Sequence, residues 1–257
     1  MVFEPEPPPP PPTGEFATAF VRPQPTVAQR VVAIAEVLLC SDYPTQLGIG
    51  AALTAMGVRA QAPGGGLEVT YVVALSLVDT ALLVALIAFF LAAHGERLGD
   101  LLFGDRPIGP ELIAGLPLAI ASLALAIAIL VPIQQFAPRL HTVEHNPLEE
   151  LIHTPADAAL LGVVVVIAGG VREEIQRAFL LRRFGQSLGG ERVGLVIASA
   201  AFGAGHLLQG ADAAIATGIL GAFWGVVYLR RGSAVAPIVS HAGFNLLQLA
   251  QVLAFKR

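Results

Sequence analysis

Long apolar runs separated by short polar breaks set the pattern of this chain. A helix needs about 20 mostly apolar residues to cross a bilayer, and several stretches reach that length. Val69 to Ala93 is a clear span and carries one acid, Asp79. Leu112 to Ile133 is another, with Pro117 and Pro132 near its ends. Ala158 to about Leu181 contains the run LLGVVVVIAGG and then the charged stretch VREEIQR. Gly194 to Leu208, Ala213 to Leu229 and Ala234 to Ala254 complete the set. Val27 to Met56 is interrupted by Ser41-Asp42-Tyr43-Pro44 and reads as one kinked helix or two shorter pieces. Helices satisfy every backbone group in lipid over such lengths. The expectation is therefore an all-α, polytopic transmembrane bundle of about seven or eight spans.

Composition agrees. Hydrophobic residues make up 55% of the chain and charged residues 13%, with a mean hydropathy of +0.71. Soluble domains carry about 25% charged residues, so roughly half the usual charge is missing. A net charge of −4 with no basic stripe excludes a nucleic-acid partner, because nothing would neutralise phosphates. The single cysteine, Cys40, excludes an internal disulfide and any CxxC cluster. The first 26 residues hold the run EPEPPPPPP, Glu4 to Pro12, which predicts a solvated polyproline II tail without fixed structure. That segment lacks the basic start and apolar centre of a signal peptide, so no cleavage is expected.

Arginines give a topology. Arg97 and Arg106, then Arg182, Arg183 and Arg192, then Arg230 and Arg231 follow alternate spans, whereas the QGAD loop (Gln209 to Asp212) has no basic residue. The positive-inside rule places the arginine-bearing loops in the cytoplasm, together with Arg22 and Arg30 at the N-terminus. Lys256 and Arg257 then fall outside, against the trend. The polar connection from Gln134 to Asp157 should also lie outside, partly on the membrane surface.

Ionisable residues inside spans cost several kcal/mol and usually mark function. Here they gather in the second half. Glu173 and Glu174 are adjacent, with Arg177 one turn later; His206 lies in the fifth span; His241 and Asn245 lie four apart in the seventh. Residues four apart share a helical face, so His241 points with Asn245 and Phe202 with His206. Glu173 and Glu174 diverge by about 100°, which predicts one acid facing a polar cavity and the other paired with Arg177. Measured from the flanking arginines at about 1.5 Å per residue, Glu173, His241 and His206 can reach similar depth. A carboxylate beside two imidazoles can deprotonate water for attack on a carbonyl. The imidazoles and the asparagine amide could hold that water or stabilise the oxyanion. Alternatively Glu173, His206 and His241 could bind a divalent metal such as zinc, which would lower the pKa of its bound water.

These residues resemble the three motifs of the CAAX prenyl protease and bacteriocin-processing family of membrane proteases. The first motif is the pair Glu173-Glu174 with Arg177; the second is Phe202 with His206; the third is His241 with Asn245. The approach to the third, Gly221 to His241, is also similar, and the resemblance covers about residues 158 to 250. It implies an intramembrane endopeptidase acting on a hydrophobic or lipid-modified protein or peptide in contact with membrane lipids. It implies Glu173 as the activator of water, with His206, His241 and Asn245 ordering water and oxyanion. Glu174 would pair with Arg177 or assist substrate contact, and Phe202 would pack. One departure stands out: the family's arginine normally follows one residue later, so Arg177 is turned about 100° from its expected direction.

The chain thus divides into a tail (1–26), N-terminal transmembrane helices with a polar loop (27–150) and a catalytic membrane core (151–257). The expected location is the plasma membrane, with the active site toward the cytoplasmic side. The other class of reading is a non-enzymatic scaffold, immunity factor or small transporter using the same polar cluster. No internal repeat of the transporter kind is visible. His141-Thr142-Val143-Glu144-His145 matches an inverted zinc-protease motif, but Pro138 and Pro147 bracket it and predict a loop rather than the helix that motif requires.

Overall fold

The computed structural model describes residues 24–62, 65–144, 146–148 and 150–255. Most of the proline-rich tail, His145 of the inverted motif, and Lys256 and Arg257 lie outside the described residues. Within them the protein is all-α, and the extended backbone pairs only in an isolated bridge between Gln61 and Leu67. The helices are α1 (Val27–Leu39), α2 (Tyr43–Ala55), α3 (Val69–Ala93), α4 (Leu98–Phe103), α5 (Ile108–Phe136), α6 (Pro155–Val164), α7 (Glu173–Ser187), α8 (Glu191–Gly205), α9 (Ala211–Arg231) and α10 (Val235–Phe255). A π-helical stretch, Val165–Arg172, joins α6 to α7 in one rod.

Four helices, α3, α5, α9 and α10, are long and apolar enough to cross a membrane by themselves. The count of seven or eight is therefore not reproduced by length and composition alone. The break at Ser41–Asp42 divides the first candidate into α1 and α2 of 13 residues each, about 20 Å apiece. Asp42 sits there with φ of 80°, a left-handed conformation that ends one helix and lets the next start at Tyr43-Pro44. Helix α8 has 15 residues, about 22 Å. The α6–π–α7 rod is long enough but turns polar from Arg172 onward. Helix α5 runs past both of its prolines, which shortens the external loop expected from Gln134.

Helix α10 packs along α5 and against the π stretch, and α8 packs on α9. Close approach rests on glycine. A Cβ on Gly170 would lie 2.6 Å from the Cβ of Ala242, and one on Gly169 would lie 2.5 Å from the Asn245 amide nitrogen. The arginine-bearing loops collect at one end of the bundle. There Arg231 meets Glu111 at 2.6 and 2.8 Å, Arg182 meets Glu96 at 2.6 Å, and Arg183 meets both Glu36 and Glu96. At the opposite end His141 meets Asp212 at 2.7 Å, and the Ala211 amide donates to the Thr142 hydroxyl. Residues 141–144 are not helical, as the flanking prolines predict.

Candidate active site

The start of α7 and the middle of α10 bring Glu173, Glu174, Arg177 and His241 together, and the end of α8 joins them through Phe202. Wherever charge enters an apolar interior it must be paired and hydrogen-bonded. Glu174 obeys this fully. Its Oε1 takes a hydrogen bond from His241 Nδ1 at 2.8 Å and pairs with the Arg177 guanidinium, and its side chain is only 1% exposed. Glu173 is more open, at 14%, with Oε1 at 3.2 Å from Arg172 and Oε2 at 3.7 Å from His241 Nε2. The expected division of labour holds, since one acid pairs with Arg177 and its neighbour remains accessible. The divergence of about 100° between the two acids does not, however, keep them from sharing a target. They meet opposite nitrogens of one imidazole, because the ring of His241 presents Nδ1 and Nε2 along different edges.

The arginine spacing has a simple structural outcome. With one residue fewer than the usual motif, Arg177 reaches Glu174 across a single turn, as an i,i+3 pair. Its guanidinium then lies 4.6 Å above the Phe202 ring and 5.7 Å from the Trp224 ring, both within cation–π range.

Aromatic rings frame the imidazoles. Trp224 stacks on His241 with centroids 3.7 Å apart and planes 16° from parallel, and its indole N–H donates to Ser240 at 3.0 Å. Phe202 contacts both imidazoles edge-on, His206 at 4.8 Å and His241 at 6.1 Å. Phe202 is thus the packing element between the two histidines.

His206 does not sit within its span as expected. Helix α8 begins at Glu191 and ends at Gly205, leaving His206 as the cap that follows. Its Nδ1 lies 2.8 Å from the Phe202 carbonyl. A carbonyl only accepts, so Nδ1 carries the hydrogen and Nε2 is left as an acceptor. Asn245 turns its amide toward the π stretch, donating to the Val165 carbonyl at 3.2 Å. The amide keeps a second N–H for other use. Among the described residues no three His, Cys, Asp or Glu side chains converge in a way that could hold a metal, so Glu173, His206 and His241 do not form a ready ligand set.

Sequence reasoning passed over Arg172, Asp42 and Trp224. Arg172 is buried and contacts Asp79 at 2.7 Å, Asp42, Glu173 and the Ala168 carbonyl. Its signal was visible: a cation beside an acid pair at the end of an apolar run. Trp224 is the single tryptophan of the chain.

Residues 155–247 match the family model described as Rce1-like, type II CAAX prenyl endopeptidase. No curated protein and no solved structure matches the chain significantly.

Proposed function

We propose, from the match of residues 155–247 to the Rce1-like, type II CAAX prenyl endopeptidase family model, that this chain is an intramembrane endopeptidase using Glu173 as general base. The observation that carries the assignment is the asymmetry of the acid pair. Glu174 is consumed by His241 and Arg177, whereas Glu173 keeps an oxygen facing His241 Nε2 at 3.7 Å. That separation is too long for a direct hydrogen bond, so Glu173 is the acid of the pair left free to take a proton.

In this reading the water gives a proton to Glu173 as it attacks the scissile carbonyl, and the proton passes on to the leaving amine. Glu174 fixes the His241 ring by accepting from Nδ1, which leaves Nε2 free to orient the water. The remaining Asn245 N–H is the donor available to the oxyanion, while His206, whose Nδ1 donates to the Phe202 carbonyl, offers Nε2 as an acceptor for water. Among the described residues no three ligating side chains converge, which supports direct base catalysis rather than a metal-bound hydroxide. The substrate would be a hydrophobic or lipidated protein end reaching the site from the membrane. The arginine-rich end of the bundle would face the cytoplasm of a plasma-membrane protein.

The test is cleavage of a quenched hydrophobic peptide library by protein purified in detergent, with Glu173→Gln and His241→Ala beside wild type, each with and without chelator. Cleavage by wild type alone supports the assignment, and loss on chelation would transfer the chemistry to a metal. Equal signals from all three proteins would reject it in favour of a partner-binding role.

A further inference from the structure

We propose that Arg172, clamped by Asp42 and Asp79, is a positioning residue for Glu173, so that helices outside the family domain complete the active site. The inference rests on the protease reading above and adds residues that the family match, 155–247, does not contain.

Every donor group of Arg172 is engaged. Nε donates to the Ala168 carbonyl at 3.3 Å, NH1 to Asp79 at 2.7 Å and to Asp42, and NH2 to Glu173 at 3.2 Å. The four partners come from four places in the fold: the π stretch, helix α3, the break between α1 and α2, and the start of α7. Arg172 is 7% exposed in its side chain and Asp79 1%, so water does not compete for the contact between them. A planar guanidinium fixed through Nε and NH1 can aim its remaining edge, NH2, in only one direction. That edge holds Glu173 Oε1, which leaves Oε2 turned toward His241.

Asp42 reaches this cluster only because the chain breaks there. Its φ of 80° is the single left-handed non-glycine conformation among the described residues, and it costs energy that an ordinary surface loop would not retain. Nearby contacts hold the break in place. Gln176 donates to the Cys40 carbonyl at 2.8 Å, and the Tyr43 hydroxyl donates to the Ala201 carbonyl at 2.9 Å. The break is therefore tied to α7 and α8 on either side of the site. Asp79 keeps one carboxyl oxygen without a hydrogen-bond partner, and its other oxygen is held by Arg172.

The experiment uses a peptide that wild type cleaves and Glu173→Gln does not. Arg172→Gln and the double variant Asp42→Ala/Asp79→Ala are expected to lose about 10- to 100-fold in kcat, from misplacement of one carboxylate on the ångström scale, with KM within about twofold. Asp42→Asn/Asp79→Asn keeps the acceptor oxygens and should recover much of the kcat lost in the alanine pair. Folded fraction is measured by gel filtration in the same detergent, and rates are expressed per folded protein. Wild-type kcat per folded molecule in Arg172→Gln, or an alanine pair that differs from wild type only in melting temperature, would overturn the positioning role. Absence of cleavage by wild type would instead overturn the protease reading and the inference with it.

Discussion

Gly170→Ala should nearly silence the proposed protease while barely loosening the fold. The added Cβ would lie 2.6 Å from the Ala242 Cβ, 3.0 Å from its Cα and 3.1 Å from its nitrogen. Carbon atoms in contact rest at about 3.5–4.0 Å, so the π stretch and α10 must part by roughly 1 Å. Overpacking of this kind costs about 1–3 kcal/mol, partly offset by the roughly 1 kcal/mol that alanine gains over glycine in a helix. At about 2–4 °C per kcal/mol for a chain of this size, the melting temperature moves by only a few degrees. Activity is far more exposed. Ala242 directly follows His241 on α10, and Gly170 lies one turn before Glu173. A shift of about 1 Å between them acts on the proposed base and the imidazole facing it, and can cost about 100-fold in kcat. Gly162→Ala is the control, because its nearest neighbour would be Leu249 Cδ2 at an ordinary 3.7 Å. Thermal melts and kcat for the two variants decide the matter. Wild-type kcat in Gly170→Ala would refute the claim that close helix contact sets the site.

Two further outcomes follow from the ion pairs. Glu174→Gln leaves Arg177 buried without its counter-charge, and breaking such a pair costs about 3–5 kcal/mol; melting should therefore fall well below that of Glu173→Gln, and equal melting curves would contradict the assigned roles. At the arginine-rich end, burial alone would raise the Glu96 pKa, but the hydrogen bond from Gln186 and the charges of Arg183 and Arg182 outweigh it and hold the group below its ordinary 4.5. A depressed carboxylate contributes stability above its unfolded pKa and loses it as pH falls through the folded one. Melting temperature in detergent should consequently drop as pH is lowered below about 4.5, and Glu96→Gln should flatten that slope.

The sequence pattern was most informative where one principle acted alone. Val69 to Ala93 is helix α3 to the residue, because an unbroken apolar run in a bilayer has no alternative to helix. Helical spacing assigned one acid of the Glu173-Glu174 pair to Arg177 without deciding which, and the polar Ser41-Asp42-Tyr43-Pro44 interruption marked the break between α1 and α2. His206 was harder: it was placed inside a span, but α8 ends before it. Apolar Leu207 and Leu208 continue the hydrophobic run beyond the helix and conceal its end. The π geometry of Val165–Arg172 was also hidden, since its valines and glycines read equally well as α-helix. Arg172 was missed for a different reason. Its partners Asp42 and Asp79 lie 130 and 93 positions away, and side-chain periodicity carries no information over such distances.

The face-to-face stacking of Trp224 on His241 has a consequence for observation. The chain holds a single tryptophan, so its entire indole emission originates one ring away from the imidazole that both acids contact. An excited indole gives up an electron far more readily to a protonated imidazole than to a neutral one. Ultraviolet emission of the unlabelled protein thus serves as a built-in gauge of the charge on His241, readable in detergent or in vesicles and independent of any substrate.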